Sequence, residues 1–396
     1  MGLLLPSSKL IDLAAGAVLP GGPAAPQCLP MRPVPVLSNR WNRLSTGIES
    51  ADSPRDLSSG KASIMQTVVE LAHLALKWDQ TSLEYPDTRQ WAHHDVAALA
   101  DGRIVTGHPD GTSLLVFSPD GRRLGTVSTG TVELHGIAND GPEGDSLWAA
   151  DPGHKRTPAG PDYDKLQHPG RILNISLSGM AVLGELHQPD LEIYQHKAWS
   201  PTAVVRIHSG NGHNGPDTVW VSDGYGQSVL HQFSSDGTYL RTIDGKDSGL
   251  AFKTPHAIIT RRRSDTTELL VADRSNRRIV VLSADGDFIR AFGADCLTSP
   301  SGIAALDDGT ILVTELFGSV VAFSEAGDLL GWLGSPLPAE KRRPRWPNQV
   351  GALGNTVRPA LVAGRFNSPH GICVTGGAVL VTEWVIGGRV VRLAPV

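Results

Sequence analysis

Phe252-Lys-Thr-Pro-His256-Ala-Ile-Ile, followed by Leu269-Leu-Val-Ala-Asp-Arg274-Ser-Asn-Arg-Arg-Ile-Val-Val-Leu-Ser-Ala-Asp-Gly286-Asp-Phe-Ile, reads as one complete unit of four strands. Pro255-His256 opens an apolar strand and Leu269 to Ala272 forms a second. Arg278 to Leu282 makes the third and Asp287 to Phe292 the fourth. Asp273-Arg-Ser-Asn and Ala284-Asp-Gly286 are rich in turn formers and separate the strands. What this unit is decides the rest, because much of the remaining chain repeats it.

The first copy runs from His94-Asp-Val-Ala through Ile104 to Leu114-Leu-Val-Phe-Ser-Pro-Asp-Gly121. The second opens at Leu134-His135-Gly-Ile and is interrupted by an insertion, Pro152 to Pro169. The third opens at Ser200-Pro-Thr202-Ala and contains Ser222-Asp-Gly-Tyr225. The fifth opens at Ser299-Pro-Ser301-Gly-Ile. After a Pro- and Arg-rich insertion, Pro336 to Pro359, the sixth opens at Ser368-Pro-His370-Gly-Ile and stops after a third strand. Six units of about four short strands, at a period of roughly 40–45 residues, predict an all-β, six-bladed β-propeller. A pair of β-sandwich sheets would explain the short strands but not the repeated Pro-x-Gly-Ile opening. The incomplete sixth unit calls for a closing strand from before His94, and Leu74 to Trp78 is the expected donor.

Composition narrows the class. The 35 basic and 40 acidic residues leave a net charge of −5, so no nucleic acid or anionic membrane is expected as partner. The 44 glycines and 28 prolines suit a turn-rich chain. Cys28, Cys296 and Cys373 make neither a CxxC pair nor a disulfide framework. No apolar run reaches spanning length, and Pro6 and Ser7-Ser-Lys9 break the opening apolar stretch. A cytoplasmic monomer is therefore expected. Residues 1–60, dominated by Pro, Gly, Ser and Ala, are expected to be a disordered extension. Residues 61–93 are expected to be a linker, and 94–396 the propeller.

In a propeller the first strand of every blade lines the central channel. Read across the repeats, the slot near the start of that strand holds His94, His135, Thr202, His256, Ser301 and His370. Histidines in units two, four and six would converge from directions about 120° apart on a six-fold ring. Three imidazoles around an open position form a catalytic zinc pattern. A single histidine in such a slot is more often a channel-lining side chain, and His94 is read that way. His108, His154, His168, His187, His196, His208, His213 and His231 fall on expected loops or outer strands, where a surface place is favoured. Tyr225 and Arg274 end second strands in consecutive blades. A tyrosine there could act as general base and an arginine could fork onto a carboxylate.

These residues resemble a known family. Each unit resembles an NHL repeat, and the combination resembles the lyase domain of peptidyl-α-hydroxyglycine α-amidating lyase over about residues 90–396. The resemblance implies zinc on His135, His256 and His370, with Tyr225 as catalytic base and Arg274 on the substrate carboxylate. It implies cleavage of a peptidyl- or smaller N-acyl-α-hydroxyglycine, bound in the channel, to an amide and glyoxylate. It further implies a structural calcium on backbone carbonyls of Val96 and Ile137. The family's partnering Asp is Gly371 here, which counts against that calcium. Blade one reads Thr106-Gly-His108-Pro-Asp and offers no match to the family's other active-site arginine. The family's disulfide cysteine after the tyrosine is Gly226 here. The competing reading is a non-catalytic NHL propeller that binds a protein or small ligand. A lactonase-like hydrolase fits less well, because its carboxylate, Asn and carbonyl ligands are not what the slot contains.

Overall fold

Leu269, Leu270, Val271 and Ala272 alternate between two different cores, and that alternation builds the molecule. Successive strand residues face opposite sides of a sheet. Leu269 and Val271 pack with Ala203 and Trp220 of the preceding blade, whereas Leu270 and Ala272 pack with Ile303 and Val313 of the next. A strand apolar on both faces is therefore a strand buried between two neighbouring blades. In this computed structural model, which describes residues 67–396 except 73, 142–144, 160–161 and 211, each seam between adjacent blades has its own apolar cluster.

The fold is an all-β six-bladed propeller. Blade one comprises Val96–Ala98, Ile104–Gly107, Ser113–Phe117 and Arg123–Ser128. Blade two comprises Ile137–Asn139, Ser146–Asp151, Arg171–Ser176 and Ala181–Leu186. Blade three runs from Ala203–Ile207 through Thr218–Ser222 and Leu230–Ser234 to Tyr239–Ile243. Blade four runs from Pro255–Arg263 to Phe288–Phe292, and blade five from Pro300–Ala305 to Leu329–Gly334. Blade six places Pro369–Thr375, Ala378–Glu383 and Val390–Pro395 beside Leu74–Asp79, and Thr67–Leu71 adds a fifth strand. Leu76↔Pro395 and Trp78↔Leu393 pair across that closure. Beginning and end of the described chain are thus zipped together by one antiparallel ladder.

The two insertions fold into small ladders. His154–Ala159 pairs Asp162–Gln167, and Gln349–Val350 pairs Thr356–Val357. Trp91–Ala92 bridges Val385–Ile386 and carries the chain into blade one. The disordered extension expected over residues 1–60, with Cys28, lies outside the described residues. Cys296 and Cys373 are free thiols. No helix among the described residues is long and apolar enough to cross a membrane.

Candidate metal centre

The end of each second strand lies beside the start of the first strand of the same blade, as Ala203↔Ser222 and Pro255↔Asp273 show. That end carries an acidic residue in blades two to six: Asp151, Asp223, Asp273, Glu315 and Glu383. Each carboxylate accepts backbone N–H bonds from the loop entering the first strand. Asp151 takes Val132 and Glu133, Asp223 takes Ser200, and Asp273 takes Lys253. Glu315 takes Thr298 and Ser299, and Glu383 takes Asn367 and Ser368. The entering loop is therefore fixed two or three residues before the slot. In blades four, five and six a bulge lies between Pro255 and Ile258, Pro300 and Ile303, and Pro369 and Ile372. A bulge re-aims a side chain, and the residues in these three are His256, Ser301 and His370.

His135, His256 and His370 come together at the axis, each at most 2% exposed. Their rings meet edge to face, with centroids 4.6 to 5.0 Å apart. The Nδ1 atom of each faces a backbone carbonyl of the next blade. His135 Nδ1 donates to Thr202 at 2.6 Å, His256 Nδ1 to Ser301 at 2.7 Å and His370 Nδ1 to His94 at 3.2 Å. A carbonyl only accepts, so Nδ1 must carry the hydrogen and Nε2 keeps its lone pair. Burial holds all three pKa values far down, that of His135 at about 3, with Arg274 and neighbouring imidazoles adding to the effect. Neutral, tautomer-locked imidazoles with inward lone pairs are the form that binds a metal. His370 Nε2 is buried and has no hydrogen-bond partner among the described residues. A donor set of this kind fits a divalent ion.

A fourth histidine joins them, and the slot reading missed it. His93 lies 4.6 Å from both His135 and His370, centroid to centroid. Ligand nitrogens of His93, His135, His256 and His370 all fall within 4.8 Å of one another and could hold a metal ion. His94, the residue read as channel-lining, points away. Its Nε2 meets the Tyr85 hydroxyl, and its Nδ1 lies 2.8 Å from Thr106 Oγ1. Its backbone does hold the slot, because its carbonyl accepts from His370 Nδ1 and Thr382 Oγ1. Adjacent residues of extended chain project to opposite sides, so His94 outward means His93 inward. The pair His93-His94 was the visible signal.

Tyr225 stands over the cluster. Its hydroxyl lies 2.9 Å from His256 Nε2, 3.2 Å from His135 Nε2 and 3.4 Å from His93 Nε2. Arg274 donates through Nη1 to that hydroxyl at 3.4 Å, through Nη2 to Ser301 Oγ at 2.8 Å and through Nε to the Pro300 carbonyl. Burial raises the Tyr225 pKa above that of a free phenol, and Arg274 opposes the rise. His154, expected at the surface, lies with its ring 5.2 Å from that of Tyr225. His231, also expected at the surface, is fully buried against Tyr194 and Thr242, because its outer strand is covered by the 191–199 loop. Trp91, Trp384, Trp346 and Phe317 continue an aromatic wall from His93.

Beside Val96 and Ile137, the residues whose carbonyls were expected to hold calcium, stands a carboxylate. The Asp95 carboxylate accepts the Val96 N–H at 2.8 Å and also faces the N–H groups of Ile137 and Ile372. It fills the space beside Gly371, where a Cβ would come within 2.2 Å of Asp95 Oδ1. Burial pushes its pKa up to about 7. Below it the channel continues as a cavity of about 270 Å³ lined by first strands of all six blades.

No family model matches the chain. Peptidyl-α-hydroxyglycine α-amidating lyase 2 of Drosophila melanogaster is 27% identical over 186 residues, 46% of this chain and 39% of that protein. The chain thus spans well under half the length of this curated relative. The structure of a streptogramin B lyase superposes with a TM-score of 0.51 at 14% identity, covering 81% of this chain and 98% of the other. A Bacteroides thetaiotaomicron protein of unknown function gives 0.51 at 12% identity, over 80% and 72%. At such identities these two structures speak for the propeller fold alone, and the fly enzyme is a distant lyase relative.

Proposed function

We propose that the chain is a zinc-dependent carbon–nitrogen lyase that splits an N-acyl-α-hydroxyglycine, free or at a peptide end, into an amide and glyoxylate. The observation that carries this reading is the Tyr225 hydroxyl, held within hydrogen-bond reach of the histidine cluster and of Arg274 at once. His135, His256 and His370 would hold the ion. When bound, it would supply Lewis-acid chemistry, lowering the pKa of the substrate hydroxyl. Tyr225, as phenolate, takes the hydroxyl proton. The oxygen's electron pair forms the carbonyl of glyoxylate while the C–N pair leaves on the amide nitrogen. That nitrogen takes a proton, which Tyr225 is placed to return, so the phenolate is regenerated. Burial opposes the phenolate and Arg274 favours it by its charge; a bound cation would favour it further. Three of its five N–H groups are engaged, which leaves two for the substrate carboxylate. The partial likeness to the fly amidating lyase points to the same reaction type.

Glyoxylate release from N-benzoyl-α-hydroxyglycine tests the proposal. Zinc-loaded protein should release glyoxylate. Tyr225→Phe should lower kcat by about 10²–10⁴-fold with zinc retained, and Arg274→Lys should mainly raise KM. Protein carrying one zinc per chain that releases none would leave a ligand-binding propeller, the reading that the missing blade-one arginine favours.

A further inference from the structure

We infer that His93 is a fourth, displaceable metal ligand, which closes the ion's coordination in the resting protein and gives up its place to an incoming oxygen ligand. The inference rests on the metal reading above and concerns how that site is regulated.

The four imidazoles are not equivalent. His135, His256 and His370 are each held at both ends, with Nδ1 on a carbonyl and Nε2 at the axis. They sit on strands, or immediately before one, within bulges or carboxylate-fixed loops. Among the described residues, no carbonyl receives His93 Nδ1, and its one hydrogen-bond contact is the long one from Tyr225. It comes from the connection between the two-residue bridge Trp91–Ala92 and the first strand of blade one. The other three are buried, whereas His93 is partly exposed. A ligand without an outer hydrogen bond is more weakly oriented than one with it. So three ligands are rigid and one can swing.

That difference has a chemical meaning. Three histidines leave zinc an open position, and four fill it, which is the coordination of a structural site. A fixed fourth imidazole would leave no room for substrate. One held by ring contacts without an outer hydrogen bond guards the ion until an oxygen donor replaces it. The all-imidazole set also suits zinc, cobalt, iron, nickel or copper rather than magnesium or calcium, which take oxygen ligands. The alternative is that His93 only packs, its ring 5.4 Å from that of Trp384.

Metal-free protein titrated with cobalt(II) distinguishes these, because four-coordinate cobalt absorbs far more strongly than five- or six-coordinate cobalt. The wild type should bind one cobalt per chain with an intense visible band. His93→Ala should still bind one cobalt, at least about 10-fold more weakly, since even loss of an outer-shell partner costs about 10–100-fold. Its band should shift as solvent takes the vacated place, and added imidazole should restore the original band. His93→Gln, which keeps most of the bulk against Trp384, should behave like His93→Ala. A cobalt spectrum and affinity unchanged in both variants would overturn the ligand role of His93 while leaving the three-histidine site intact. A wild type that takes up no cobalt would overturn the metal reading itself, and His93 with it. Circular dichroism of the metal-free variants guards against loss of fold.

Discussion

Replacing His256 by alanine and by asparagine separates two roles of one side chain. Nε2 faces the axis, while Nδ1 donates 2.7 Å to the Ser301 carbonyl across the seam between blades four and five. Alanine removes both, leaving a buried carbonyl without its donor, at a cost of about 1–3 kcal/mol. Asparagine carries an N–H at nearly the position of Nδ1 and lacks Nε2. Metal-free asparagine protein should therefore fall within about 1 kcal/mol of wild type. Zinc at a hundredfold excess over its Kd should stabilise wild type by about 2.7 kcal/mol and either variant much less. Urea unfolding in chelator and in zinc, followed by fluorescence, gives both quantities. Equal stability of the metal-free alanine and asparagine proteins would refute the staple role of Nδ1. Zinc stabilisation of the alanine variant equal to that of wild type would refute the ligand role.

Lys155 Nζ bonds Glu133 Oε2 at 2.7 Å and the Trp91 carbonyl at 2.8 Å, in a pair only 1–2% exposed. Lys155→Met should cost about 3–5 kcal/mol by leaving a buried carboxylate unpaired. Burial already lifts the Glu133 pKa to about 7, so the loss should be larger at pH 8 than at pH 6, and Glu133→Gln in the same chain should recover much of it in urea melts. The His231 pKa is depressed by burial to about 4, against about 6.5 unfolded. The folded form resists protonation, so this contribution is full above pH 6.5 and is lost as the pH falls toward 4. The loss amounts to about 3 kcal/mol, which His231→Gln should abolish in a pH series of unfolding midpoints. A Cβ on Gly226 would come within 2.0 Å of Asp223 Oδ1, the acceptor of the Ser200 N–H. Gly226→Ala should shift the Tyr225 turn, and the measured result should be a lower kcat with zinc stoichiometry unchanged.

The ring was legible because repetition is a sequence property. Proline, slot residue and second-strand acid recur in most units, and their alignment brought His135, His256 and His370 to one depth. What repetition could not convey is what differs between copies. Blade one lacks both the proline before the slot and the second-strand acid, so nothing local distinguished His93 from His94. Their facing is decided by Tyr85 and Thr106, which hold the His94 ring outward. The same limit applies to Asp95, whose carboxylate stands beside Gly371 on the far side of the ring closure. Contacts formed by bringing the ends of the chain together leave no periodic trace. The burial of His231 likewise depends on a non-repeating loop that delivers Tyr194.

Every junction between blades at the axis carries at least one hydrogen bond: Asp95 to His135, His135 to Thr202, Thr202 to Pro255, His256 to Ser301, Thr314 to His370, and His370 to His94. Three of these six use a histidine whose other nitrogen faces the cluster. The circumference of the ring and the gap between the ligand atoms are therefore one dimension. Opening one of those three seams widens the gap, and drawing the nitrogens together tightens the same three seams. An ion bound there would act as a gauge of the ring, its escape rate reporting how often the six blades breathe apart.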